Sequence, residues 1–483
     1  MTQATFSLAT MAPALPEIAL LAMVSILLVA DLFFKAHEKH LTYVLTLVAL
    51  VGTAVLCATT LGGGSTVTFQ GMFVSDLMSQ VLKVATLLTV AATLVLSRSY
   101  LELRGLLNGE FLCLALFGTL GMMVMISAHH FVTLFLGLEL MALSQYAMVA
   151  LQRDSARATE AAMKYFVLGA LSSGLLLYGM SMIYGGTGSL ELSRVAQAIE
   201  GGGRNTLALF GLVFVVAGIA FKLGAAPFHM WIPDVYHGAA TPVTLIVGAA
   251  PKLAAFGFIM RLLVTGLDGL ADQWQPMLVI LTIASLAVGN VIAIAQTNLK
   301  RMLAYSTISH MGFVMLGILA DTKTGYGASL FYVIVYVLMT LGSFGMILLL
   351  SRAGFEAENL DDFRGLNQKS KWYAFMMLIL MFSLAGIPPG GGFLAKLFVL
   401  QAALDAGYTW LVVYAVLLSV VGAFYYLRIV RLMYMESPTS EISIDPRADT
   451  RWMLSATAIA TLALGIVPTP LVELCARAIT ASM

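Results

Sequence analysis

Two stretches decide how this chain is read: FKLGAAPFHMWIPDVYHGAATP at residues 221–242 and LAGIPPGGGFLAKLF at residues 384–398. Each interrupts an apolar run. The first places Pro227, Pro233 and Pro242 after Lys222, and the second places Pro388, Pro389, Gly390, Gly391 and Gly392 before Lys396. Proline removes a backbone donor and clashes with the preceding turn, and glycine supports the irregular backbone that results. At membrane depth such backbone is tolerated only inside protein or against a water-filled cavity. The two stretches therefore read as broken helices lining a path, each with a lysine at the break.

The composition around them supplies the membrane. Of 483 residues, 60% are hydrophobic and only 11% are charged, against roughly 25% charged in a soluble domain. At about 20 apolar residues per crossing, this stock builds about 14 spans. Apolar segments fall near 15–34, 41–61, 76–97, 109–127, 130–151, 160–184, 205–228, 241–264, 275–296, 300–320, 326–350, 372–402, 408–434 and 452–479. The expected fold is an all-α polytopic membrane protein, a single integral membrane domain over 1–483. A net charge of +1 argues against a nucleic-acid partner, which needs a basic face. Cys57, Cys113 and Cys475 lie far apart in apolar runs and read as packing residues. The N-terminus lacks a basic region before its first apolar run, so that run is expected to be a retained helix.

Loop charges set an orientation. One alternate set of loops carries Lys35, Lys39, Arg98, Arg104, Arg153, Arg157, Lys300, Arg301, Arg352, Arg364, Lys369, Lys371, Arg447 and Arg451; the other carries only Arg194, Arg204 and Lys323. The basic loops belong in the cytoplasm, which puts both termini in the periplasm. The breaks lie five spans apart. Two tandem five-span units, 109–264 and 275–434, must be inverted relative to each other because five is odd, and interrupted helices at matching places in inverted repeats point to a transport path.

An ionisable side chain near the bilayer centre costs about 2.5–3.5 kcal/mol on insertion scales and asks for a reason. Glu139 sits near the middle of the fifth segment, Lys252 follows Pro251 in the middle of the eighth, and Lys222 and Lys396 flank the breaks. One acid cannot neutralise three lysines, so a purely structural ion pair fits poorly. Burial favours a neutral lysine and a carboxylate within about 4–6 Å restores its charge, so a contact made and broken loads and unloads a proton. In support stand Tyr305 and His310 in the polar run AYSTISHMG, His229 in the first break, and Lys164. Lys83, Lys164, Arg261, Arg428 and Arg431 lie near segment ends, where snorkelling is the default, and Lys300 and Arg301 read as boundary charges. Walker, dinucleotide, CxxC and HExxH motifs are absent from the sequence, so neither ATP hydrolysis nor a cofactor or metal site is expected in this chain.

The stretches EAAMKYFVLGALSSGLLLYGMSMIYGGTGSL (160–190), FKLGAAPFHMWIPDVYHGAATPVT, AYSTISHMG and AGIPPGGGFLAKLFVL together resemble the antiporter-like membrane subunits of respiratory complex I, over about residues 100–435. The resemblance implies a proton-translocating subunit of the bacterial inner membrane, with a relay of Glu139, Lys222, Lys252 and Lys396. It implies that NADH, FMN, iron–sulfur clusters and quinone belong to partner subunits. A lysine at 396 separates the chain from sister subunit M, where that position is usually Glu. Sister subunit L continues into a lateral helix, whereas this sequence stops soon after segment fourteen. The implied neighbours are the small quinone-proximal subunits on one side, subunit M on the other, the lateral helix of subunit L, and membrane lipid. The competing readings are a subunit of a multi-subunit cation/proton antiporter, with the same span pattern and lysines, and a non-translocating membrane scaffold.

Overall fold

The computed structural model describes residues 8–34, 39–61, 64–202, 205–438 and 447–483. Lys35 and Arg204, two of the loop charges above, lie outside the described residues.

Nearly all of the described chain is helical. The spans are α1 (Ala12–Asp31), α2 (Lys39–Thr59), α3 (Leu77–Leu103), α4 (Gly109–Ile126), α5 (Phe131–Val149) and α6 (Ala156–Thr187). There follow α7a (Thr206–Leu223) with α7b (Trp231–Gly238), α8 (Thr241–Gly266), α9 (Asp268–Ile294), α10 (Leu299–Ile318) and α11 (Lys323–Leu350). The last are α12a (Lys371–Ala385) with α12b (Gly391–Asp405), α13 (Thr409–Met435), and α14a (Ala448–Ile466) with α14b (Thr469–Ser482). A short hairpin, β1 (Thr66–Thr68) against β2 (Phe73–Ser75), joins α2 to α3, and a helix over Leu192–Gly202 joins α6 to α7a. Side-chain caps start many spans: Asp76 forms a capping box with Ser79, and Asn108, Ser155, Asn205, Asn298, Thr322 and Ser370 each accept from a first-turn amide.

Among the described helices, eleven are long and apolar enough to cross a membrane, and a twelfth if the bent C-terminal pair counts as one. The remaining two expected spans are α10 and the α12 pair. Helix α10 carries Lys300, Arg301 and the polar run from Tyr305 to His310, and nearly all of it is buried among other helices. Surrounded by other helices, its polar side chains find partners within the protein. The final segment departs from expectation: it is bent by 82° between Ile466 and Thr469, where Pro468 interrupts it, and is a third break rather than one straight helix.

Three charges read as snorkelling or boundary residues are buried instead. Lys83 is 2% exposed and meets Glu17 at 2.5 Å, joining α3 to α1. Arg261 is 2% exposed and binds Asp76 at 2.7 Å and the Ile126 carbonyl at 3.2 Å, in a π-helical turn of α8. Lys300 is 1% exposed. Each sits between helices, where reaching a partner carboxylate replaces reaching water. Removing one member of such a pair costs about 3–5 kcal/mol, because the other charge stays buried.

Close packing depends on small residues where helices cross. A Cβ on Gly121 of α4 would collide with the backbone nitrogen of Met141 in α5, and one on Gly179 of α6 would lie 2.6 Å from the Gly211 carbonyl in α7a. Gly52 of α2 has nothing within 4 Å. Gly121→Val and Gly179→Val should each destabilise by about 1–3 kcal/mol or more, while Gly52→Val should be near neutral. Thermal unfolding in detergent checks this; equal melting temperatures for all three variants would contradict the packing.

Candidate functional site at the broken helices

The first break begins as a helix end. Helix α7a stops at Gly224, whose φ of +79° suits glycine, and Gly224 and Ala225 donate back to the Ala220 carbonyl at 2.9 and 2.7 Å. The last carbonyls of a helix have no partner in their own helix. Here the Leu223 carbonyl is taken by the Lys252 ammonium of α8, at 2.9 Å.

The second break repeats the device. Helix α12a stops at Gly386, φ +84°, with Gly386 and Ile387 donating to the Phe382 carbonyl at 3.0 and 2.9 Å. The Ala385 carbonyl, in the place of Leu223, accepts from Lys396 of α12b at 2.9 Å. In both, the carboxyl end of a half-helix meets a cation, the sign its dipole favours. Lys252 is 1% exposed and Lys396 8%, and among the described residues neither has a carboxylate partner. Judged by the carbonyl each one binds, the counterpart of Lys396 is Lys252.

Lys222 lies two residues before Gly224 and lines, with Lys252, one cavity of about 20 Å³. Gln145 and Tyr165 complete its polar wall, and Tyr165 stacks on Trp231 at 4.6 Å. Glu139 acts electrostatically on Lys222 without ion-pair contact, and one of its carboxylate oxygens is buried without a partner. Both residues are only partly buried.

Around the second lysine the polar groups are hydroxyls. Lys396 also donates to Ser419 of α13 at 2.9 Å and faces the Phe313 ring at 5.1 Å. His310 of α10 bonds Tyr332 through Nδ1 at 2.8 Å and Tyr426 through Nε2 at 3.2 Å, and Lys396 acts on it electrostatically. Ser306 bonds Tyr426, Tyr336 donates to Thr307 at 2.8 Å, and Tyr425 donates to Asn290 at 3.1 Å. The partners of His310 are thus Tyr332 and Tyr426; Tyr305, on the same helix, is not bonded to it. The spacing of Tyr332 and Tyr336, four apart on an apolar helix, was the available signal.

Two supporting residues lie elsewhere. His229 is half-buried in the first break, away from the lysine cavity, with Nδ1 unpartnered. Lys164 belongs to a charged surface cluster: it meets Asp234 at 2.7 Å and Glu160 at 2.8 Å, and Arg301 binds the other oxygen of Asp234 at 2.8 Å. Of the break residues, Pro227, Pro388 and Pro389 are exposed, while buried Gly390 packs on Ser383.

A clasp at the far end of α7b was not foreseen. Lys300 donates to the Ala239 carbonyl at 2.7 Å and meets Glu356 at 3.3 Å, and Arg157 holds Glu358 at 2.7 and 3.0 Å while binding the His237 carbonyl. Tyr100 and Thr241 both donate to Glu356. Burial alone would raise the Glu356 carboxyl, but Lys300, Thr241 and Arg104 outweigh it and hold the group below its ordinary 4.5. A carboxyl lowered in the folded state contributes stability above 4.5 that is lost as the pH falls below it. Melting temperature should therefore drop on acidification between about pH 5 and pH 3, and Glu356→Gln should flatten that drop. An unaltered acid profile in the variant would exclude Glu356 from the clasp.

The sequence places this geometry in a known group. A family described as NADH:quinone oxidoreductase/Mrp antiporter, transmembrane, matches residues 128–422. The chain is 61% identical over 477 residues to NADH-quinone oxidoreductase subunit N of Thiobacillus denitrificans, covering 99% of both chains. It is 58% identical to that of Nitrosomonas europaea, covering 99% of this chain and all of the relative. The chain belongs to the NADH-quinone oxidoreductase subunit N family. A chain of respiratory complex I from Thermus thermophilus superimposes with a TM-score of 0.82 at 30% identity, covering 95% of this chain and 98% of that one. A chain of the Mrp complex from Dietzia shares the fold, with a TM-score of 0.86 at 21% identity. The fold alone does not separate oxidoreductase subunits from antiporter subunits. Full-length identity to subunit N relatives does.

Proposed function

We propose that this chain, as a membrane-arm subunit of an NADH:quinone oxidoreductase, moves protons along Glu139, Lys222, Lys252 and Lys396 while partner subunits oxidise NADH and reduce quinone. The observation that carries the reading is that Lys252 and Lys396 bind backbone carbonyls at two helix breaks, and Lys222 shares a cavity with Lys252. A scaffold would pair its buried lysines with acids, as Lys83 is paired with Glu17. FMN, iron–sulfur clusters and the quinone site lie in the partner chains.

In this reading Glu139 holds Lys222 protonated. Withdrawing the carboxylate frees the proton to pass to Lys252, then by way of the hydroxyls around His310 to Lys396, which exchanges it with the periplasm or the neighbouring subunit. Helix α7b, whose Trp231 lines the Lys222 cavity, packs against α10, which carries His310. Moving one charge against about 150–200 mV requires about 3.5–4.6 kcal/mol, the size of one lysine–carboxylate contact made and broken out of water. The five-span units 109–264 and 275–434 are the two inverted halves of this path, supported by the paired glycine-ended half-helices. The chain sits in the bacterial inner membrane with basic loops inside and both termini periplasmic. Its neighbours are the small quinone-proximal subunits and subunit M, with the lateral helix of subunit L alongside.

The test is the purified complex in proteoliposomes. Lys222→Ala and Lys252→Ala should lower the number of protons translocated per NADH oxidised. An unchanged proton-to-electron ratio in both variants would sink the relay.

A further inference from the structure

Resting on the relay reading, we propose that Gln145 is a positioning residue that holds a single water between Lys222 and Lys252, and that the proton crosses through this water. Gln145 belongs to α5 and is 1% exposed. Its side-chain oxygen accepts from the Tyr165 hydroxyl at 2.7 Å, which leaves the amide nitrogen as the outward group. That nitrogen is buried and has no partner.

The other uncharged polar side chains on the cavity wall are engaged. Tyr165 donates to Gln145, and the Trp231 indole donates to the Phe221 carbonyl at 3.0 Å. Lys252 spends one N–H on the Leu223 carbonyl and keeps the rest free. A buried unpartnered amide is costly, by about 1–3 kcal/mol, and an ordered water is the usual remedy. The cavity, at about 20 Å³, has room for about one water.

A water at this place makes three hydrogen bonds. Its oxygen accepts from Gln145 Nε2 and from the protonated lysine, and one of its hydrogens is donated to the lone pair of the neutral lysine. In the transfer, an N–H bond of the Lys222 ammonium breaks and an O–H bond forms on the water. The opposite O–H bond breaks and an N–H bond forms on Lys252. Lys222 ends neutral, Lys252 ends charged, and the water is regenerated with its hydrogens exchanged. Tyr165, wedged between Trp231 and Tyr146, keeps the amide from turning its oxygen to the cavity. Were the oxygen to face the lysines, it would compete with the water for their protons.

The experiment uses the whole complex in proteoliposomes, with NADH-driven proton uptake normalised to the assembled complex seen on native gels. Gln145→Leu, close in volume but without the donor, should lower uptake about tenfold, and Gln145→Asn, which keeps an amide donor, should recover about threefold of that. Redox-triggered infrared difference spectra in H2(18)O should show a shifted band from a strongly bonded water in the native complex and none in Gln145→Leu. Should Gln145→Leu fail to assemble, Tyr165→Phe, which removes only the hydroxyl fixing the amide, should still lower uptake about threefold and weaken the same band. Native uptake in Tyr165→Phe and Gln145→Asn, or a water band unaltered by the substitutions, overturns the proposal. Lys252→Ala is measured alongside. If it abolishes pumping while Gln145→Leu pumps normally, the role of Gln145 fails and the relay stands; if Lys252→Ala also pumps normally, both fail.

Discussion

A carbonyl group cannot be left bare in hydrocarbon, and this structure is arranged around that constraint. Each break in a span frees backbone carbonyls from the helix that would have satisfied them. At Leu223, Ala385 and Ala239 the replacement donor is a lysine carried by another segment: Lys252, Lys396 and Lys300. At these three helix ends a buried lysine and a freed carbonyl satisfy each other.

Two classes of buried charge follow from this. Glu17 with Lys83 and Asp76 with Arg261 are closed pairs that tie α1 to α3 and α3 to α8, and neither sits at a break. Lys252 and Lys396 are bound by neutral acceptors instead, so no fixed carboxylate opposes the departure of a proton. The clasp of Glu356 and Glu358 is intermediate. It grips the last carbonyls of α7b with cations but neutralises them with acids from the loop after α11, which anchors the half-helix at its loop end and leaves its Trp231 end at the cavity.

The spans and both central breaks were legible because proline, glycine and lysine stand out against an apolar background. Helix α10 was legible as a segment although its hydropathy is low, since the polar run from Tyr305 to His310 kept its apolar flanks. What the pattern concealed was who touches whom. That Lys252 matches Lys396 depends on a carbonyl 29 residues away along the chain. Tyr332, Tyr336, Tyr425 and Tyr426 look like ordinary aromatic packing until His310 is placed among them, and Gln145 looks like any mid-helix polar residue until a cavity opens beside it. Lys83 and Arg261 sit near span ends, where reaching water is the usual outcome; only the fold supplies Glu17 and Asp76 close enough to draw them inward. The bend at Pro468 was hidden because apolar residues continue on both sides of it.

Why the residue at each of the two central breaks is lysine follows from counting hydrogens. A carboxylate cannot donate to a carbonyl at all, and an arginine donates but does not release its proton. An ammonium carries three N–H groups, and the amine left after deprotonation carries two. Lys396 makes two bonds, to the Ala385 carbonyl and to Ser419. It can therefore lose its proton and keep both, so discharging the site does not expose the carbonyl that the break created. The backbone stays satisfied in both protonation states, and the energetic difference between them is left to the charge alone, which is the quantity that a carboxylate such as Glu139 or a cation approaching from a neighbouring site is able to set.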